Sequence, residues 1–174
     1  MPEETIHFII TGGTIDSNCE VAKDTVVLNT KSAIPNFIKS LKLYNSTEFT
    51  VICMKDSRDI VKNDLKNILN AVEKSPYKKM IITPGTYTMP DTARFLKVNL
   101  KRKDQTIIIT GSMIPLRGFS PSDGPFSIGF SIAKVTDLKH GIYVCMNGGV
   151  FSSEEVMKVN REGRFTSIWE ENKK

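Results

Sequence analysis

Apolar residues follow two alternating rhythms along this chain. Nearly unbroken apolar runs occur at Ile6-His7-Phe8-Ile9-Ile10, Phe49-Thr50-Val51-Ile52-Cys53-Met54, Met80-Ile81-Ile82, Thr106-Ile107-Ile108-Ile109 and Ile142-Tyr143-Val144-Cys145-Met146. Such short runs predict strands buried on both faces, because a strand with one wet face alternates apolar and polar residues. Between them the spacing changes. Ile34, Phe37, Ile38 and Leu41 recur at i, i+3, i+4 and i+7, as do Leu65, Ile68, Leu69 and Val72. That spacing is one face of an α-helix. Ser122-Asp123-Gly124-Pro125 predicts a third helix start, with Ile128, Ile132, Ala133 and Val135 behind it. Strands alternating with helices predict βαβ units. The expected fold is α/β, a mostly parallel sheet with helices on both faces, in a single domain over residues 1–174. In the polar tail, 162–174, only Phe165, Ile168 and Trp169 are available as anchors, so a short strand or a loosely held end is expected there.

Open parallel sheets bind ligands beyond the carboxyl ends of their strands, so the segments after each run are where chemistry is expected. They read Thr11-Gly12-Gly13-Thr14-Ile15-Asp16-Ser17, Lys55-Asp56-Ser57-Arg58-Asp59, Thr83-Pro84-Gly85-Thr86-Tyr87-Thr88, Thr110-Gly111-Ser112-Met113 and Asn147-Gly148-Gly149. All but the second contain glycine, and all carry hydroxyl or amide side chains. Glycine lets a backbone come close to a ligand, and the N–H groups it exposes can hold an anion. Five such loops on one sheet edge predict a cleft for a polar small molecule. Asp56 and Asp59 are expected to cap the helix that follows them.

Composition narrows the classes. The chain is 40% hydrophobic and 25% charged, and no apolar run approaches the ~20 residues of a membrane-spanning helix. No membrane partner is expected. The acidic start, Met1-Pro2-Glu3-Glu4-Thr5, lacks the apolar stretch of a signal peptide. Cys19, Cys53 and Cys145 are widely spaced and odd in number, which predicts neither a disulfide framework nor a zinc site. A cytoplasmic location follows from both. The net charge is +5, and the densest basic cluster is Lys97, Lys101, Arg102 and Lys103. Without a nucleic-acid motif or interleaved aromatics it reads as a solvated helix end and loop, so nucleic acid is not an expected partner.

The candidate chemistry is then short of options. His7 lies inside the first strand run and His140 precedes a turn glycine, so neither follows a strand end and a His-based triad is not expected. No His/Cys cluster points to a metal, GxxxxGK[ST] is absent, and the first loop lacks GxGxxG. Hydroxyl chemistry remains, with a threonine nucleophile and a desolvated lysine as its base.

The same loops carry a resemblance. Thr11-Gly12-Gly13-Thr14-Ile15 resembles the first signature of bacterial-type L-asparaginases. Gly85-Thr86-Tyr87-Thr88-Met89, followed by Asp91-Thr92-Ala93, is similar to the second. Thr110-Gly111-Ser112-Met113-Ile114-Pro115 with Ser122-Asp123-Gly124-Pro125 is similar to a third block. The blocks fall in family order over about residues 6–160, which corresponds to the family's N-terminal domain alone. The resemblance implies that Thr14 is the nucleophile, that Thr86 is a second catalytic threonine, and that Lys158 is its partner. It implies that Ser57 binds a substrate α-carboxylate, with Arg58, Gly85, Tyr87 and Ser112 completing the substrate wall. Arg58 stands where the family usually has Gln or a small polar residue. The family cleaves the side-chain amide of asparagine, sometimes glutamine, to ammonia and an acid, without a metal or cofactor. A small amide or amino-acid substrate and a second copy of the chain, as a homodimer or higher homo-oligomer, are the implied partners.

Three departures from the family pattern stand out. Tyr87 occupies the position of a family aspartate that holds the substrate ammonium, and Pro84 replaces the usual His or Gln. Residues 16–30 contain no tyrosine, whereas the family's flexible loop carries one near the nucleophile. The chain stops at Lys174, where the family continues into a domain that completes a neighbouring subunit's site. Two other readings therefore stay open: a binding or regulatory protein that kept the cleft without efficient chemistry, and one half of a split asparaginase. Tyr87 is expected either to pack into the vacated aspartate site or to contact the ligand.

Overall fold

A computed structural model describes residues 4–20, 22 and 25–170. The chain begins with β1 (Ile6–Gly12), turns into a hairpin of β2 (Ser17–Glu20) and β3 (Thr25–Leu28), and passes through α1 (Ile34–Ser40) into β4 (Thr47–Lys55). Then follow α2 (Lys62–Lys74), β5 (Lys79–Thr83), α3 (Met89–Asn99), β6 (Thr106–Ile109), α4 (Gly124–Asp137) and β7 (Gly141–Met146). Three short strands close the series: β8 (Gly149–Ser152), β9 (Val156–Val159) and β10 (Arg164–Ser167).

Six strands form one sheet in the order β4-β1-β5-β6-β7-β8. All neighbours are parallel except β7 and β8, so this is the expected α/β architecture. Every residue of β1 and of β6 is buried, which is why those runs do not alternate. Successive side chains nevertheless point to opposite faces. Met80 and Ile82 pack with Ile68 and Val72 of α2 and with Met89, Ala93 and Leu96 of α3. Ile81, between them, packs on the other face with Ile34 and Ile38 of α1 and with Ile128 and Val135 of α4. Fully burying such a side chain contributes about 1.5–3 kcal/mol, so these two layers carry most of the hydrophobic stabilisation.

The structure specifies two segments that the sequence left general. Asn147-Gly148 leads from β7 directly into the antiparallel strand β8. Both residues have positive φ, 53° and 75°, and Met146 pairs with Gly149 across them. This is a two-residue hairpin turn, for which Asn-Gly is the favoured pair. The Asn147 side-chain oxygen accepts from the Phe165 N–H at 2.9 Å. The tail does contain a short strand, β10, but only part of the expected anchor: Phe165 is buried whereas Trp169 is 69% exposed. Residues 171–174 lie outside the described residues.

The other sequence features find structural partners. His7 is buried, with its ring nitrogens 2.9 Å from Ser75 Oγ and 2.8 Å from Thr50 Oγ1, and burial lowers its pKa. The basic cluster is engaged locally, Lys97 with Glu154 at 3.1 Å, Arg102 with Asp104 at 3.1 Å, and Lys103 with the Leu100 carbonyl at 3.0 Å. The three cysteines are free, and burial pushes the Cys145 thiol up to about 12. No described helix is long and apolar enough to cross a membrane.

Candidate active site

The loops after β1, β4, β5 and β6 pack backbone against backbone. Gly13 has φ 77°, and its N–H donates to the Lys55 carbonyl at 2.9 Å. A Cβ on Gly13 would lie 2.5 Å from Gly85 Cα, and one on Gly85 would lie 2.4 Å from Ser57 Cβ. A Cβ on Gly111 would meet the Pro84 carbonyl at 3.1 Å and Thr86 Cγ2 at 3.6 Å. These contacts explain the glycines of the motifs: the loops close on one another only where no side chain intervenes. Gly13→Ala combines a backbone clash with a left-handed φ and is expected to lower unfolding free energy by about 2–4 kcal/mol, read from urea denaturation. Unchanged stability would mean that the close approach is not required.

Thr14 opens a 3-10 turn, Thr14–Asp16, and is half-buried. Its hydroxyl makes no hydrogen bond to any described residue. The turn itself is clamped. Asp16 is buried, and its carboxylate accepts from the Ala33 N–H at 2.7 Å, while the Leu116 N–H donates to the Ile15 carbonyl at 3.1 Å. Burial raises the pKa of Asp16. Sequence reasoning assigned Asp16 no role; its position two residues after Thr14 is the only local signal for one.

Thr86 and Lys158 meet. Lys158, on β9, donates from Nζ to Thr86 Oγ1 at 2.8 Å, and Thr86 is buried. Desolvation, reinforced by the Arg58 cation, lowers the Lys158 pKa. Ser57 is buried at the head of a 3-10 turn, Ser57–Asp59, and its carbonyl accepts from Thr88 Oγ1 at 3.3 Å. Asp56 caps this turn, accepting from the Arg58 N–H at 2.9 Å, and Asp59 lies within it. Neither caps α2. That role falls to Asp64, which accepts from the Val61 N–H at 2.9 Å and pairs with Lys55 at 2.8 Å.

The remaining candidates differ in availability. Arg58 is exposed, its guanidinium 3.4 Å from Asp56. Tyr87 is 56% exposed, so it does not pack into a vacated buried site. It lines a concavity of about 280 Å³ with Pro90, Asp91, Arg94, Met157, Lys158 and Asn160. Ser112 is buried and donates its hydroxyl to the Ile114 carbonyl. That loop is further tied by Asp123, which accepts from the N–H groups of Met113 at 2.8 Å and Ile114 at 2.9 Å. A larger groove of about 840 Å³ lies along the β2–β3 hairpin, and none of the candidate residues lines it.

The arrangement offers a lysine of lowered pKa on a threonine hydroxyl, beside glycine-rich backbone that holds a second, unengaged threonine. Lowering the amine's pKa favours its neutral form, which accepts a proton along the same contact that the ammonium donates through.

Comparisons with known proteins agree on the family. The asparaginase family profile, described as "Asparaginase, N-terminal", matches residues 5–169. The chain is 30% identical over 166 residues to L-asparaginase 2 of Escherichia coli K12, covering 89% of this chain and 46% of that protein. A probable periplasmic L-asparaginase of Haemophilus influenzae is 28% identical over 164 residues, again 89% of this chain and 46% of that protein. Among solved structures, a probable cytoplasmic L-asparaginase from Campylobacter jejuni superposes with a TM-score of 0.79 at 25% identity, covering 94% of this chain and 53% of the other. The thermostable L-asparaginase from Thermococcus kodakarensis has a TM-score of 0.81 at 24% identity, covering 94% and 51%, which speaks for the fold. The chain spans about half the length of the relatives it matches. With its profile match across residues 5–169 and the β1, β5 and β6 loops closed on one another, the chain belongs to the asparaginase family, in the region that its N-terminal profile describes.

Proposed function

We propose that this protein is an amidohydrolase that cleaves the side-chain amide of asparagine or a related small amide through a threonine nucleophile. Thr14 Oγ1 attacks the amide carbonyl carbon, and its proton passes to the departing nitrogen, which leaves as ammonia. Water then cleaves the resulting Thr14 ester, releasing the acid and restoring the hydroxyl. Backbone N–H groups of the glycine-rich loops hold the oxyanion in both steps. Thr86 and Lys158 handle the protons, and Ser57 and Arg58 hold the substrate carboxylate. The observation that carries this reading is the 2.8 Å contact between Lys158 and Thr86, on a loop whose Gly85 touches the residue before Thr14. Each step needs only the chain's own residues, water and the amide.

The test is ammonia release by the purified chain from a panel of small amides that includes L-asparagine and L-glutamine. Release that saturates with substrate is expected. No release from any of them would remove the hydrolase reading.

We read the chain as one cytoplasmic domain that forms a homodimer or higher homo-oligomer. Its free cysteines support the first point. The second is supported by Phe126 of α4, which is 58% exposed and stacks on Phe130 at 6.0 Å between ring centroids. Exposed apolar surface of this kind favours association. Sedimentation at high micromolar concentration should show an assembly larger than the monomer; a monomer would contradict it.

A further inference from the structure

The turn that carries Thr14 holds its own shape through bonds between near neighbours. The Asp16 N–H and the Ser17 hydroxyl both donate to the Gly13 carbonyl, at 3.0 and 3.1 Å. Its place in the fold is set by bonds to distant segments. On the amino side the Gly13 N–H donates to the Lys55 carbonyl at 2.9 Å. On the carboxyl side three donors reach the turn: the Leu116 N–H to the Ile15 carbonyl at 3.1 Å, the Asn29 N–H to the Asp16 carbonyl at 2.8 Å, and the Ala33 N–H to Asp16 Oδ1 at 2.7 Å. Two of these three end on Asp16, and only the last uses a side chain of the turn. Asp16 thereby joins three parts. Its backbone closes the base of the β2–β3 hairpin, where Ser17 pairs with Leu28, and its carboxylate reaches the residue that precedes α1.

Asp16 is also costly where it stands. It is fully buried, and its Oδ2 has no hydrogen-bond partner among the described residues. Burial disfavours its charged form, and the Ser32 and Asn29 side chains offset only part of that penalty. Stability alone does not account for a carboxylate in such a place, whereas a fixed acceptor beside the nucleophile does. Resting on the amide-hydrolase reading above, we propose that Asp16 is a positioning residue for the hydrolysis, whose carboxylate, held by the Ala33 N–H, fixes the turn that aims Thr14 Oγ1 at the amide carbon. It acts through Thr14 and transfers no proton itself.

The test compares wild type, Asp16→Ala and Asp16→Asn in the full chain, by kcat and KM for ammonia release from the amide that the wild type hydrolyses fastest, and by urea midpoint. Asp16→Ala removes the acceptor. It should fold with a lowered urea midpoint and lose about 10²-fold in kcat, the scale of a misplaced reacting group, with KM close to wild type. Asp16→Asn keeps an oxygen for the Ala33 N–H and should restore kcat to within about tenfold of wild type, through a weaker, neutral bond. Wild-type kcat in a folded Asp16→Ala, or a loss confined to KM, would overturn the proposal and leave the hydrolase reading intact. So would an Asp16→Asn as slow as the alanine variant, and an Asp16→Ala that does not fold would make Asp16 a structural residue instead. No ammonia release by the wild type from any amide would remove the hydrolase reading and the positioning role with it.

Discussion

Thr14→Ala is expected to lower kcat for ammonia release by about 10³-fold or more on every amide the wild type hydrolyses, the scale of losing a covalent nucleophile. The substitution is structurally mild. The hydroxyl has no hydrogen-bond partner among the described residues, and the turn is held from elsewhere, by Asp16 on Ala33, Ile15 on Leu116 and Ser17 on Gly13. Alanine keeps the Cβ and the backbone conformation. The urea midpoint should therefore stay close to wild type while activity disappears. Thr14→Ser keeps a hydroxyl at the same atom and should retain a measurable fraction of the rate. Full activity in the alanine variant, with an unchanged urea midpoint, would show that the nucleophile is another group.

Lys158→Met should cost about 10²- to 10⁴-fold in kcat, the range of a positioned general base. Its pH signature separates this from a structural role. Burial and the Arg58 cation hold the Lys158 pKa below that of an ordinary lysine. The neutral amine is the form that accepts the Thr86 proton, so the wild-type rate should rise as pH rises through that lowered pKa. The methionine variant should lack this rising limb. Stability should follow pH in the same direction. Because the folded-state pKa is lowered, the folded chain binds fewer protons than the unfolded chain between the two pKa values, and stability increases with pH across that window. Below the folded-state pKa the partly buried ammonium is a net cost. Methionine removes that cost and preserves the apolar stem, so Tm near neutral pH should hold or rise while activity falls. A lower Tm with retained activity would make Lys158 a structural residue.

Much of the architecture was legible because it rests on local pattern. β1, β5, β6 and β7 were each marked by an apolar run, since a strand covered on both faces has no position at which a polar side chain meets water. β4 carries the same pattern, but it is an edge strand with no fully buried residue and Val51 51% exposed, so there the expected burial on both faces is corrected. The faces of α1 and α2 were marked by helical spacing. Helix α3 was less visible. Its buried Met89, Ala93 and Leu96 are separated by Pro90, Asp91 and Arg94, inside a segment read for its chemistry. The strands β8, β9 and β10 have four residues each, too few to display a period. Asn147-Gly148 carried a hairpin signal, but its meaning depended on whether Val150 and Phe151 return to pair with Cys145 and Val144.

By itself the sequence determined the alternation of buried strands and helices, the edge of the sheet where polar loops gather, and the supply of hydroxyls and lysine without a histidine in those loops. The tertiary structure decided how these parts act on one another. Lys158 and Thr86 stand 72 positions apart and meet at 2.8 Å only because β9 lies against the loop after β5. Gly13 and Gly85 are likewise distant in the chain, and their contact depends on the parallel pairing of β1 with β5. The exposure of Tyr87, the commitment of the Ser112 hydroxyl to Ile114 and the lowered pKa of Lys158 have the same origin. Hydrophobic period is set by nearest neighbours along the chain. The field and solvation at a side chain depend on which distant groups the fold brings beside it.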